Sequence, residues 1–464
     1  MPPRKTTLFA TAPLVSLAVA LAAAALIAVS PWTAEPTIWR AAGVVVLGLG
    51  LWAAGFLPLH ITSLIVFLVA LVLNVAPPDV VLSGFHAGAT WLVFGGLVVT
   101  LAAQRSGLAE RAVRVLLARV PPGYAGVAAG LALAGFALAF VVPAASGRAM
   151  LVAPLALAVA DRLGFARTDK AAHGLVLAAG MGTTLPAFGI LPANVVNMVF
   201  LGAVESIHHI GFSYFEYTAL NLPVLGLGGL VVQVAVVVLL FGRRLPGAVE
   251  KPATTAWSGE ERRVLLILAA TLLLWSTDFL HGVSPAWVAL AAALACVIPG
   301  VGPLKPGVFS GEVNYATWLF VAAVIGVGAM ANHTGLGSAV GAWVIGHVPL
   351  TRDGGVVTFL ELVGIGTVVS LVTTFPTVPP ILTAAADALA AATGWPLRAV
   401  LLAQVPTWIL PPLPYLAPPL MIAIAAGGVP MGRAVRALGL YFVIAAPLLL
   451  PLQYFWGRLL GAYP

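Results

Sequence analysis

Gly180-Met-Gly-Thr-Thr-Leu-Pro-Ala-Phe-Gly-Ile-Leu-Pro-Ala-Asn-Val-Val-Asn197 lies between two apolar segments that read as helix. It holds two prolines, three glycines, two adjacent threonines and two asparagines, in a chain that otherwise places few polar residues inside its hydrophobic runs. Lipid cannot satisfy a freed N–H or C=O, so irregular backbone at membrane depth survives only where protein buries it or where it lines a wet cavity. A helix broken in this way marks a binding site; the alternative is an ordinary proline kink in a packing helix.

The bulk composition supports the membrane setting. Of 464 residues, 61% are hydrophobic and 8% charged, with mean hydropathy +1.07, whereas a soluble domain is about 25% charged. The formal charge of +7 does not point to nucleic acid, because the basic residues sit in short segments between apolar runs, where they act as topology signals. The single cysteine, Cys296, lies inside an apolar run, which excludes an intrachain disulfide and a thiolate metal cluster. Arg4 and Lys5 precede an apolar run from Leu8 to Val29 that is too long for a signal-peptide core, and Pro31 follows it. The run reads as a retained first span.

Further apolar runs of near-spanning length fall at about 41–57, 59–76 and 89–104, followed by an amphipathic stretch over 108–120 that reads as an interfacial helix. Residues 124–164 form two apolar arms around Pro143-Ala-Ala-Ser-Gly-Arg148, a candidate re-entrant hairpin. The broken span at about 171–204 and another span at 214–241 lead to a charged cytoplasmic linker, 243–263. The second half repeats the pattern. Spans at about 264–280, 284–298 and 316–333 precede a short helix (336–347) and a second two-armed stretch at 355–393, broken at Thr373-Thr-Phe-Pro-Thr-Val-Pro-Pro380. A span at 398–426, interrupted by Leu410-Pro-Pro-Leu-Pro-Tyr415, and a last run at 437–460 complete it.

The halves align in order. Ala89-Thr-Trp-Leu92 recurs as Ala316-Thr-Trp-Leu319, Gly107-Leu108 as Gly335-Leu336, Pro121 as Pro349, and Leu185-Pro186 as Leu410-Pro411. An ordered series of this kind signals internal duplication. With a cytoplasmic N-terminus and re-entrant hairpins, all lysines and arginines except Arg40, Arg352, Arg398 and Arg458 fall on the cytoplasmic side. True crossings at the two-armed stretches would keep the same sides. The sequence therefore predicts an all-α polytopic membrane protein of about eleven transmembrane helices plus two re-entrant hairpins. Residues 1–40 carry the first span and an outer loop, and 41–242 and 264–464 are inverted five-span repeats joined by the 243–263 linker. The C-terminus falls outside. This is the plan of a secondary transporter in the inner membrane.

The residues also carry a resemblance. Ser83-Gly-Phe85, Ala89-Thr-Trp-Leu-Val-Phe-Gly95 and Ser106-Gly-Leu-Ala-Glu-Arg111 resemble the fourth span of the divalent-anion/sodium symporter (dicarboxylate/sulfate permease) family, within the wider ion-transporter superfamily. Pro143–Pro154 resembles its first hairpin and Leu191–Asn197 its broken fifth span. The resemblance runs from about Gly43 to the end. It implies a homodimer whose mobile domains carry a dicarboxylate, sulfate or related anion with sodium by an elevator-like motion. The family's Ser-Asn-Thr triplets at the hairpin tips align with Ala144-Ala145-Ser146 and Thr374-Phe375-Pro376, so both asparagines are replaced here.

Ser146 and Gly147 open the second arm of the first hairpin, where unpaired N–H groups and the helix dipole favour an anion. Arg148 can add a charge-assisted contact or snorkel to the interface. Thr183, Thr184, Asn194, Asn197, Thr374 and Thr377 complete the expected substrate set. Ala145, Ser146, Gly182, Asn194 and Thr374 are the expected coupling-ion positions, with carbonyls around Gly182 and Ala187 able to hold a small cation. Glu361 and Asp387 lie at similar distances from the second tip, on opposite arms, and read either as a shared-proton pair replacing lost sodium ligands or as a water-exposed pair. The coupling ion is thus sodium or a proton. No cofactor is implied. His208-His209 lacks ligand spacing for a metal, no phosphate loop supports an ATP-driven pump, and no acid, nucleophile or metal set supports an intramembrane enzyme. A channel and an anion exchanger on the same scaffold are the remaining readings.

Overall fold

The computed structural model describes residues 7–117, 123–142, 144–244 and 256–464. Arg4, Lys5, Pro121, Pro143, the end of the 108–120 stretch and residues 245–255 of the linker, all referred to above, lie outside the described residues. Among the described residues the chain is helical without strands. The helices that matter here are α1 (Thr7–Val29), α2 (Pro36–Ala54), α3 (Leu59–Val72), α4 (Gly88–Arg105), α5 (Leu108–Leu117), α6 (Tyr124–Val141), α7 (Ala145–Arg162), α8 (Lys170–Thr184) and α9 (Val195–His208). They continue with α10 (Tyr214–Asn221), α11 (Gly229–Phe241), α12 (Gly259–Ser276), α13 (Pro285–Val297), α14 (Tyr315–His333), α15 (Leu336–His347), α16 (Val356–Val372), α17 (Val378–Ala384) and α18 (Ala386–Thr393). The last four are α19 (Leu397–Leu402), α20 (Pro406–Ile409), α21 (Pro418–Ala426) and α22 (Met431–Leu459).

Six helices are long and apolar enough to cross a membrane, or nine if each bent pair is one span, and four shorter apolar helices accompany them among the described residues. The boundaries follow the punctuation of the sequence. Gly107 and Gly335, the aligned glycines of the two halves, both take the left-handed conformation (φ +78° and +79°) and each turns a long helix into a shorter one. The pair α4–α5 bends by 69° there. A residue with a Cβ would be strained at that φ.

The chain divides into two compact units, each drawing on both sequence halves. The first comprises 1–90, 198–211 and 314–404; the second comprises 91–197, 212–313 and 405–464. These units cut across the expected repeats.

The first unit is built around α14, whose residues Phe320 to Ala331 are all buried. It packs on α2, α3, α15 and α17. Glycine permits the closest approaches: a Cβ on Gly84 would strike the Ala322 backbone, and one on Gly328 would come within 2.9 Å of Pro380. Such small-residue contacts let helices associate where lipid gives no hydrophobic drive.

The second unit is built around α8, buried from Ala171 to Thr184 and enclosed by α6, α7, α11 and α21. A Cβ on Gly182 would strike the Ala132 backbone of α6, so this approach requires glycine. Between α10 and α11 the turns widen to a π-helix over Leu222–Gly228. Pro223 has no N–H to offer Ala219 four residues earlier, and α22 supplies the missing donors: Trp456 Nε1 donates to the Ala219 carbonyl at 2.9 Å and Gln453 Nε2 to that of Leu220 at 3.0 Å.

Candidate functional site

The first hairpin and the broken span meet within the second unit. α6 ends at Val142, whose backbone is extended, and α7 starts at Ala145 behind Ala144, a cap position without a hydroxyl. The first N–H groups of α7 therefore have no side-chain cap of their own. Helix α4 lies beside them. Thr100 Oγ1 accepts the Ala144 N–H at 3.3 Å, and a Cβ on Gly147 would come within 2.9 Å of Gln104 Nε2. Ser146 is exposed, Gly147 half-buried and Ala145 buried.

Arg148, in the first turn of α7, is fully buried. Nη1 donates to the carbonyls of Val142 (2.6 Å) and Ala193 (3.0 Å), Nη2 to the Thr183 carbonyl (3.0 Å), and Nε to Thr183 Oγ1 (3.1 Å). One planar, permanently charged fork thus joins the hairpin tip to both sides of the break. Val142 and Thr183 lie at the C-terminal ends of α6 and α8, where orphan carbonyls and the helix dipole favour a cation. The arginine does not snorkel.

The break itself is satisfied from outside its own helix. Asn197 Nδ2 donates to the Phe188 (3.0 Å) and Ile190 (2.9 Å) carbonyls, and its Oδ1 accepts Trp408 Nε1 of α20 at 3.1 Å. Tyr217 O–H adds a second donor to Phe188 at 3.1 Å. Gln233 of α11, with its amide oriented to pair, accepts the Gly182 N–H at 3.1 Å and donates to the Met181 carbonyl at 3.3 Å. Among the buried polar atoms without a hydrogen-bond partner in the described residues are Thr184 Oγ1 and Asn194 Nδ2 at the break and Thr407 Oγ1 of α20. A buried unpaired donor costs about 1–3 kcal/mol, and Thr184 and Asn194 place two such groups on the two sides of the one break.

The second hairpin lies in the first unit. α16 and the segment from Phe375 to Ala384 bend by 119° at the tip. Thr377 Oγ1 donates to the Thr374 carbonyl at 2.8 Å and accepts the Thr373 hydroxyl at 2.5 Å, a short local chain. Thr374 is half-buried. The outer arm is not one helix: it breaks again at Ala385, between α17 and α18.

The structure does not bring Glu361 and Asp387 together as a shared-proton pair. Glu361 accepts the Thr351 N–H (2.8 Å) and hydroxyl (2.7 Å), while Asp387 Oδ2 lies 3.8 Å from His208 Nδ1. His208 is the residue the sequence passed over, since its partner lies far along the chain. Thr100, Gln104, Tyr217, Gln233 and Trp408 were likewise unmarked, each sitting in an otherwise ordinary apolar helix.

A profile described as "Citrate transporter" matches residues 44–405, most of the chain. The chain belongs to the citrate transporter family. This gives the resemblance to the ion-transporter superfamily its particular family, one of transporters rather than enzymes. Escherichia coli (strain K12) "Inner membrane protein YbhI" is 24% identical over 265 residues, 54% of this chain and 55% of the relative, so the chain spans about half the length of that curated relative. Among solved structures, the Alcanivorax borkumensis YdaH transporter, whose title reports an unusual topology, aligns over 83% of this chain and 88% of its own with TM-score 0.50 and 16% identity. That likeness concerns the fold alone. Within the family's matched range fall the first hairpin, the break at 185–194 and the second hairpin.

Proposed function

We propose that the protein is an ion-coupled secondary carrier of a small carboxylate of the citrate or dicarboxylate kind, in the inner membrane. The observation that carries this reading is Arg148: a buried charge in the first turn of α7, bonded to both sides of the break, in the unit that also holds the unpartnered groups of Thr184, Asn194 and Thr407. The carbonyls and the hydroxyl that its guanidinium meets join the hairpin tip to the break and place a positive charge there. A carboxylate is drawn to a positive setting, and its oxygens suit the unpartnered donors of Thr184, Asn194 and Thr407. Family membership supports the substrate class.

Sodium or a proton couples the transport, the N-terminus is cytoplasmic with the C-terminus outside, the molecule works as a homodimer, and the motion is elevator-like. Reconstituted protein should take up labelled citrate, with competition from malate or succinate and dependence on a sodium or proton gradient. Uptake of no anion under any gradient would overturn the carrier reading.

A further inference from the structure

We propose that His208 and Asp387 form a proton-binding site that is filled and emptied during transport. The proposal rests on the carrier reading for the word transport, and names its coupling ion as a proton.

The tautomer is set by chemistry. His208 Nε2 lies 2.9 Å from the Thr383 carbonyl, which can only accept, so Nε2 carries the hydrogen. Nδ1 is then the atom left to take a second proton, and it faces Asp387 Oδ2 at 3.8 Å. With the proton bound, imidazolium faces carboxylate; with it gone, a lone pair faces a negative charge. The contact is attractive in one state and repulsive in the other.

Access differs between the partners. The His208 side chain is 5% exposed and that of Asp387 is 67% exposed, so the carboxylate offers the route between solvent and the buried ring. His208 also ends α9, where the helix dipole favours a cation, and the chain turns immediately after it through His209 in the left-handed region (φ +54°). Thr383, which holds the ring, passes its own hydroxyl to Gln404 Oε1 at 3.3 Å, and Gln404 Nε2 is buried without a hydrogen-bond partner. A proton on His208 therefore tightens the end of the broken span against the outer arm of the second hairpin, both within the first unit.

Other charged groups on the surrounding elements have their own engagements. Glu205, three residues earlier on α9, accepts the Gly88 N–H at 3.0 Å. Arg398 of α19 donates to the Gly211 carbonyl at 3.3 Å. His209 is exposed, α17 carries no titratable residue, and α14, which meets α9 at Gly328 and Ile207, carries Tyr315 at its start and His333 at its end.

The test uses full-length protein in liposomes and in nanodiscs. Citrate uptake is followed from pH 5.5 to 8 for wild type, Asp387→Asn, His208→Gln (which keeps an amide N–H for Thr383) and His209→Asn as control. The expected result is a wild-type and control profile that changes at least fivefold across the range and flattens to below twofold in both pair variants. Pair variants that keep the wild-type profile would overturn the site. Should the wild type move no carboxylate, the carrier reading falls, and melting temperature against pH decides the site. A pH-dependent difference between wild type and Asp387→Asn, which is exposed and should fold, supports it; a constant difference overturns it.

Discussion

The two hairpin tips occupy corresponding places in the sequence and are held in different ways. The first, between α6 and α7, is fixed by one buried guanidinium that reaches three stretches of backbone. The second, between α16 and α17, is fixed by threonine hydroxyls that reach no further than four residues. A charge with a rigid fork ties distant carbonyls together, whereas two hydroxyls that bond each other and a neighbouring carbonyl act only locally. The difference is why anion recognition is proposed at the first tip and only local shaping at the second.

The largest test of that difference is Arg148→Met. It strands the Val142, Thr183 and Ala193 carbonyls in a buried setting, and each buried acceptor left unsatisfied costs about 1–3 kcal/mol. Chemical unfolding in detergent should show a loss of that order, or no folded protein at all. Arg148→Lys, a point charge without the fork, should fold with a smaller loss and bind carboxylate weakly. A methionine variant as stable as wild type would reduce the first tip to the level of the second.

An intermediate effect belongs to a tether outside both hairpins, which must be separated from them. Arg111 of α5 grips Glu261 with Nε–Oε1 at 2.8 Å and Nη2–Oε2 at 2.9 Å, stacks over Trp257 and donates to the Ala256 carbonyl. Glu261 also closes a capping box with Ser258 at the start of α12, just ahead of the apolar run. The hydrogen bonds from Arg111, helped by Ser258 and opposed by burial, hold the Glu261 carboxyl down at about 2. Because its folded pKa lies below its unfolded value, the group's stabilisation is complete above about 4.5 and is lost as pH falls towards 2. Arg111→Gln should remove about 3 kcal/mol at neutral pH and flatten stability against pH in that window. A variant with the wild-type acid profile would show that the acid response comes from elsewhere.

The smallest effect is expected at the second tip. Thr377→Val removes one short-range donor and should cost about 1 kcal/mol, read as a shift in the unfolding midpoint with citrate affinity unchanged. A tenfold loss of affinity instead would move substrate recognition to the second tip and erase the contrast.

Much of the fold was legible because glycine and proline punctuate apolar runs at fixed physical cost. The runs at 89–104, 316–333 and 336–347 match α4, α14 and α15 to within a residue or two, and the break after Thr184 falls where Pro186 removes a donor. What was not legible is who repairs the breaks. A freed carbonyl announces that some donor must come, without saying which; the answer for Phe188 and Ile190 is Asn197, itself oriented by Trp408 211 residues away. Glu361 and Asp387 were paired by equal distance from a tip, but depth along two arms does not fix azimuth around them, and each found another partner. The two compact units are set by long-range packing rather than by order along the chain, so no motif marks their boundaries.

The central claim is that the unpartnered groups beside the break are reserved for a carboxylate. Its most direct test is citrate affinity, by isothermal titration, of a Thr184→Val, Asn194→Leu double variant that leaves the Arg148 network untouched. Removing buried polar atoms that lack partners should leave the unliganded protein as stable as wild type or slightly more so, while citrate binding falls at least tenfold. Unchanged affinity in a stable double variant would contradict the account.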